Sequence, residues 1–226
     1  MLIMLDESAP IAARKALEKE GEVVLFQTNN ICYDAISGHP DIFFFQHPNG
    51  LIIAPNTPEK YKKLLSDKGI PFITGNSEVG EKYPCTAIYN ALHTSHGVLH
   101  NRVITDDAIK NHFPLFIDCK QGYVRCTTIQ TGNLFITSDK GIERVLLNNN
   151  LNVIYVCPEN ISLKGFRHGF FGGCCGLCGK KLYICGSLRE VPGYKSLAGS
   201  IESQGFEIKE ICSRGLHDVG GILFLY

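Results

Sequence analysis

Short apolar runs recur along this chain in pairs, each pair split by a tight polar or glycine turn. Five segments share the pattern. They read HPDIFFFQHPNGLIIAP from His39, YPCTAIYNALHTSHGVLHN from Tyr83, YVRCTTIQTGNLFITSD from Tyr123, FFGGCCGLCGKKLYICG from Phe170 and LHDVGGILFLY from Leu216. Apolar runs of this length, bounded by Gly, Asn and His-Gly turns, predict paired strands. An amphipathic stretch with a helix-start signal follows each pair. Thr57 with Pro58, Thr105-Asp106-Asp107, Thr137-Ser138-Asp139 and Ser8-Ala9-Pro10 open four such stretches, with Thr57 as the expected N-cap of its helix. A fifth helix spans about Tyr194 to Ser203. A third β-rich run closes each unit: Val23–Gln27, Pro71–Thr74, Leu115–Asp118, Val153–Val156 and Phe206–Ile211.

The order strand–strand–helix–strand therefore occurs five times. Anchored on Asp41, Cys85, Cys126, Cys174 and Asp218, the units are spaced by 44, 41, 48 and 44 residues, and the gap from Asp218 through the two ends back to Asp41 is 49. A repeat divided between the two ends is what a closed ring requires. The expectation is a single α/β domain over residues 1–226, a five-bladed propeller of ββαβ units with pseudo-fivefold symmetry, in which the first and last segments complete one blade. An open α/β sheet also alternates strands with helices, but it gives no reason for five near-equal units or for the circular gap.

Composition narrows the function classes. Lys+Arg and Asp+Glu number 22 each, so the net charge is zero. No basic block is present, which argues against a nucleic-acid partner. The opening Met-Leu-Ile-Met-Leu gives way at once to Asp6-Glu7, too short an apolar run for a signal peptide, and no stretch approaches the ~20 apolar residues of a membrane span. A cytoplasmic protein without a membrane partner is expected. Its ten cysteines are accordingly read as reduced thiols, several of them within apolar runs.

His39-Pro40-Asp41, running into Ile42 and three phenylalanines, resembles the His-x-Asp strand opening of the arginine deiminases. Val124-Arg125-Cys126-Thr127-Thr128 resembles the segment that carries the nucleophilic cysteine in the same superfamily, the penteins. Cys85-Thr86-Ala87-Ile88-Tyr89-Asn90, between them, is similar to the non-catalytic blade of the dimethylarginine hydrolases. The pentein superfamily comprises deiminases, dimethylarginine hydrolases, amidinotransferases and a non-catalytic ribosome-binding initiation factor on a propeller of ββαβ units. The order of His blade, spacer blade and Cys blade is kept, but it begins at the N-terminus, as in a circular permutation.

The resemblance implies that Cys126 attacks a guanidinium carbon, that His39 is general acid and base, and that Asp41 binds the guanidinium. Such a thiol needs a neighbouring cation to lower its pKa. Asp218, in His217-Asp218-Val219-Gly220-Gly221, stands closest to the acid that orients the histidine. Where the superfamily places a further acidic residue, this chain has Gly172-Gly173-Cys174-Cys175. The glycines and the thiols Cys174 and Cys175 of that segment, with His168 and Asp218, are read as the substrate-binding rim of a pocket, the glycines allowing close backbone approach.

Two metal patterns were weighed. Cys175-x-x-Cys178 has zinc-ligand spacing, with His168 and Cys185 as completing ligands, but no second knuckle accompanies it. His93, His96 and His100 fall within a hairpin connection and are read as polar loop residues. No metal and no cofactor is expected. Three functions stay open: a Cys-dependent hydrolase or transferase on a small amidine- or guanidine-like substrate, a non-catalytic binding or scaffold protein, and a thiol- or metal-binding protein acting through the Gly/Cys segment. The oligomeric state is not legible.

Overall fold

The computed structural model describes residues 1–213 and 215–226. Its architecture is mixed α/β with small sheets. Among the described residues there are five three-stranded sheets and one two-stranded sheet. Every three-stranded sheet is built alike, with an antiparallel pair followed by a helix and a third strand parallel to the second. In the first unit Phe44–His47 pairs with Gly50–Ile53, and the helix Glu59–Asp67 leads to Phe72–Thr74. The second has Leu92–Thr94, Gly97–His100, the helix Asp107–His112 and Phe116–Asp118. The third has Thr128–Thr131, Leu134–Thr137, the helix Lys140–Asn148 and Asn152–Tyr155.

The fourth unit has Cys175–Cys178, Lys181–Ile184, the helix Tyr194–Ser203 and Glu207–Glu210. The fifth draws on both ends of the chain: Leu223–Leu225 pairs antiparallel with Leu2–Asp6, in the register Leu2 to Leu225, and the helix Ile11–Leu17 leads to Glu22–Phe26. The two-stranded sheet, Ile161–Ser162 with Leu216–His217, lies outside the repeat.

The apolar faces pack between units. Phe26 of the fifth unit meets Phe43, Phe44 and Tyr61 of the first with ring centroids 5.3, 5.1 and 4.6 Å apart. Leu99 and Ile117 of the second share a core with Phe135, Ile142 and Leu146 of the third. Tyr183 and Cys185 of the fourth pack with Ile3, Leu5 and Phe224 of the fifth. Each fully buried large apolar side chain is worth about 1.5–3 kcal/mol, so no unit keeps its core when separated from its neighbours.

Hydrogen bonds also run from unit to unit through the turns that precede the first strands. Asp41 N donates to Gly220 O at 3.2 Å, and Gly221 N donates to Gly173 O at 2.8 Å. Asn90 Nδ2 donates to Asp41 O at 3.1 Å. Arg125 N donates to Asn90 O at 2.9 Å, while its guanidinium donates to Gly172 O at 2.8 Å and Cys175 O at 2.9 Å. The links join unit one to five, five to four, four to three, three to two and two to one.

Local details differ from expectation. The strands expected to begin at Asp41 and Cys126 are each preceded by one helical turn, Pro40–Phe43 and Val124–Thr127. Proline at the first helical position is pre-set for this conformation and loses no hydrogen bond there. Thr57 does not cap its helix. Pro58 holds the N-cap position, and the Thr57 hydroxyl is buried without a partner. The helix expected from Ser8 begins at Ile11.

Candidate active site

The helical turns at Pro40 and Val124 bring His39 and Cys126 to a common cavity. With Asp218 they form the floor of this space of about 230 Å³. Tyr33, Ile36, Ile42, Tyr123, Leu163 and Phe166 make its walls, with Arg167 and His168 also on its lining.

His39 is 3% exposed and lies between two carboxylates, Nε2 3.7 Å from Asp6 Oδ2 and Nδ1 3.9 Å from Asp218 Oδ1. Asp218 is itself fixed by backbone donors, Phe170 N to Oδ2 at 2.9 Å and Gly220 N to Oδ1 at 3.2 Å. Burial pushes its carboxyl up, and His39 opposes that rise. Two glycines allow this packing. A Cβ on Gly173 would collide with the Asp218 carboxylate, and one on Gly220, at φ +66°, with the backbone of His39.

Asp41 is fully buried, and neither carboxylate oxygen has a hydrogen-bond partner. Burial raises its pKa from 3.8 to about 6, against the pull of His39 and Arg125. A buried carboxylate without partners carries most of its desolvation cost uncompensated. Cys126 is 4% exposed. Its backbone N–H donates to Asn90 Oδ1 at 3.1 Å, and its thiol points to Tyr123 O at 3.7 Å. Burial, then the charges of Asp41 and Asp218, push the thiol well above its ordinary range, while Arg125 pulls it down. Burial and the two carboxylates therefore act on this thiol in the direction opposite to the cation that a nucleophilic cysteine needs. Carboxylates outweigh the one neighbouring guanidinium.

A family model matches residues 4–223, the "Family of unknown function (DUF6873)". The chain belongs to this family. No curated protein matches its sequence. Among solved structures, dimethylarginine dimethylaminohydrolase as an adduct with 4-chloro-2-hydroxymethylpyridine matches at a TM-score of 0.50 and 9% identity, over 92% of this chain and 91% of that one. The Pseudomonas aeruginosa enzyme, a cysteine-to-serine mutant complexed with citrulline, matches at 0.49 and 11% over the same shares. The fold of this DUF6873 member is similar to that of dimethylarginine dimethylaminohydrolase.

The residues singled out from sequence fall in three places. Cys126, His39, Asp218 and His168 line the cavity. Asp41 lies beneath it, close enough to affect the Cys126 thiol. Gly172, Gly173, Cys174 and Cys175 form a turn behind the floor, buried rather than at the rim. Gly172 accepts from Arg125, and Gly173 backs Asp218. The Cys174 thiol donates to Phe170 O at 3.3 Å, and burial holds Cys175 up at about 12. Among the described residues no three His, Cys, Asp or Glu side chains gather as a metal would need, and all ten cysteines are free. His100 is fully buried, bonded to Thr105 and Gly122.

Sequence reasoning missed Asp6, Arg125, Asn90 and the tyrosine pair at the wall, where Tyr123 Oη meets Thr86 Oγ1 at 2.5 Å and Tyr33 Oη at 3.3 Å. Arg125 carried a readable signal, since a charged residue between Val124 and Cys126 stands where an apolar run should continue. Among the described residues no helix is long and apolar enough to cross a membrane.

Proposed function

We propose that this chain is a thiol-dependent hydrolase of a small amidine- or guanidine-type cation bearing an apolar arm. The observation that carries the reading is the meeting of Cys126, His39 and Asp218 on one cavity floor above the orphaned Asp41. The carboxylates attract a planar cation, and that cation supplies the positive charge the thiol lacks in the free protein. Bound, it lowers the Cys126 pKa and offers its carbon to the sulfur. The thiol's proton passes to His39 as sulfur attack forms a C–S bond, and the C–N bond breaks as the amine leaves with that proton. Water, deprotonated by His39, then cleaves the C–S bond, releasing the oxo product and restoring the thiol. Asp6 and Asp218 hold the imidazole between them in a position to exchange that proton.

The fold relative named for dimethylarginine hydrolysis supports the type of reaction without setting the substrate. The same reading takes residues 1–226 as one cytoplasmic domain, a five-bladed ring of ββαβ units in which the first and last segments complete one blade. The unit-to-unit hydrogen bonds support it. It includes neither a cofactor nor a nucleic-acid or membrane partner.

A second reading, binding without turnover, has one observation in its favour, the burial of Cys126 between carboxylates that push its thiol up. Incubation with alkyl- and arylguanidines and amidines, read by mass spectrometry for the exchange of nitrogen for oxygen, separates the two. Turnover that disappears in Cys126→Ser and in His39→Ala is the expected result. Saturable binding with no product from any member of the series selects the second reading.

A further inference from the structure

A second cavity, of about 280 Å³, is lined by Arg125 but not by Cys126. Its walls come from the first strand of every unit, through Gln46, His93, Gln130, Leu177 and Leu223. Arg125 reaches into it from the turn that also carries Cys126. We propose that this cavity is a binding site for a small oxyanion, a phosphate or a short carboxylate.

The guanidinium is the main argument. Two of its five N–H donors are used by the carbonyls of Gly172 and Cys175, and three remain. Among the described residues it has no ion-pair partner. Its charge acts on the buried Asp41, but no carboxylate occupies its remaining donors among the described residues, and guanidinium pairs with oxyanions through such parallel donors. No acidic side chain lines the cavity, although the chain has 22 of them. The Cys126 cavity has the opposite chemistry, with Asp218 on its floor and Asp41 below.

The imidazoles are the second argument. His47 and His93 both line this cavity, and each packs its ring on Phe113 at 5.1 Å. His47 Nδ1 accepts from Asn49 N at 3.3 Å, which leaves Nε2 to carry the ring proton. Neither ring is tied to a carboxylate among the described residues. Gln130 and Gln46 are already engaged, with Ser95 and Gly132 and with Phe224 O, so they shape the walls. The ligand is small because the cavity is, and it carries one or two charges because a single permanent cation faces it.

The test is calorimetric titration of the full chain with inorganic phosphate and, separately, with succinate, at low ionic strength. One saturable site is expected, and the tighter of the two anions names the ligand's headgroup. Gln130→Glu, which sets a carboxylate in the wall at unchanged size, should weaken binding by at least roughly tenfold, because the new charge repels the anion and competes for the Arg125 guanidinium. The double variant His47→Gln with His93→Gln should weaken it as well. Folding of each variant is checked by its cooperative urea transition. Absence of saturable heat with both anions up to about 10 mM, which corresponds to less than about 3 kcal/mol of binding, overturns the proposal. So does binding that a folded Gln130→Glu leaves unchanged.

Discussion

Asp41 shows how strongly burial decides the chemistry of a single residue here. Its carboxylate is fully buried without a partner, and its pKa is displaced upward from 3.8 to about 6. The sign of the consequence follows. Above about pH 6 the folded protein must hold a buried charge that the unfolded chain holds in water, so folding is penalised, and the penalty vanishes below about pH 4, where both states are neutral. The difference is worth about 3 kcal/mol at most. Asp41→Asn should therefore raise stability at pH 7.5 by roughly 1–3 kcal/mol and leave it unchanged at pH 3.5, as read from urea transitions at the two values. A protein that keeps a destabilising charge at neutral pH is expected where function needs that charge. The sequence offered His39, Asp41, Cys126 and Asp218 as candidates, but it could not tell which would be desolvated. Asp6 escaped notice because it ends an apolar strand, and only the fold brings His39 to it.

Helix caps illustrate the same point for whole elements. Asp139 caps the helix Lys140–Asn148 through Ile142 N at 2.8 Å. Asp106 caps Asp107–His112 through Ala108 N at 2.8 Å and also accepts from Asn76 N, Ser77 N and Tyr89 Oη at 3.0, 2.8 and 3.1 Å. Both were legible as helix starts. Only the structure distinguishes a simple cap from one that also fastens the preceding loop. Asp139→Ala should cost about 1 kcal/mol. Asp106→Ala should cost at least about 2–4 kcal/mol, since it leaves several donors unpaired, and thermal or urea unfolding ranks the two. Strand pairs and helices could be read from apolar periodicity, as the helix Tyr194–Ser203 shows. The one-turn helices before Phe44 and Thr128 could not, because four residues are too few to display a 3.6-residue period.

At the scale of the molecule, the five-unit spacing was the most informative signal, and the pairing of Leu2 with Leu225 places the two ends side by side as the circular gap implied. The site was only half legible. The spacing could align the units, but the direction in which a turn presents its side chains depends on neighbours in other units, as Asn90 between Asp41 and Cys126 makes plain. If the units close as a ring, a permutant joining residue 226 to residue 1 by a short glycine linker, opened at Glu81–Lys82, should fold with a single cooperative transition. A permutant that does not fold would count against closure through the ends.

The claim at the centre of the account is that the Cys126 cavity draws a planar cation onto a thiol that is otherwise inert. Chloroacetamidine and chloroacetamide carry the same leaving group and differ in charge. Mass-resolved labelling with each, followed at Cys126 and at the exposed Cys85 and Cys157, tests the claim directly. The account predicts that the amidine labels Cys126 more than about tenfold faster than the amide, a preference one favourable charge contact can supply. That preference should be absent at Cys85 and Cys157 and reduced by Asp41→Asn. Equal labelling of Cys126 by the two reagents, or the same preference at the exposed thiols, would contradict it.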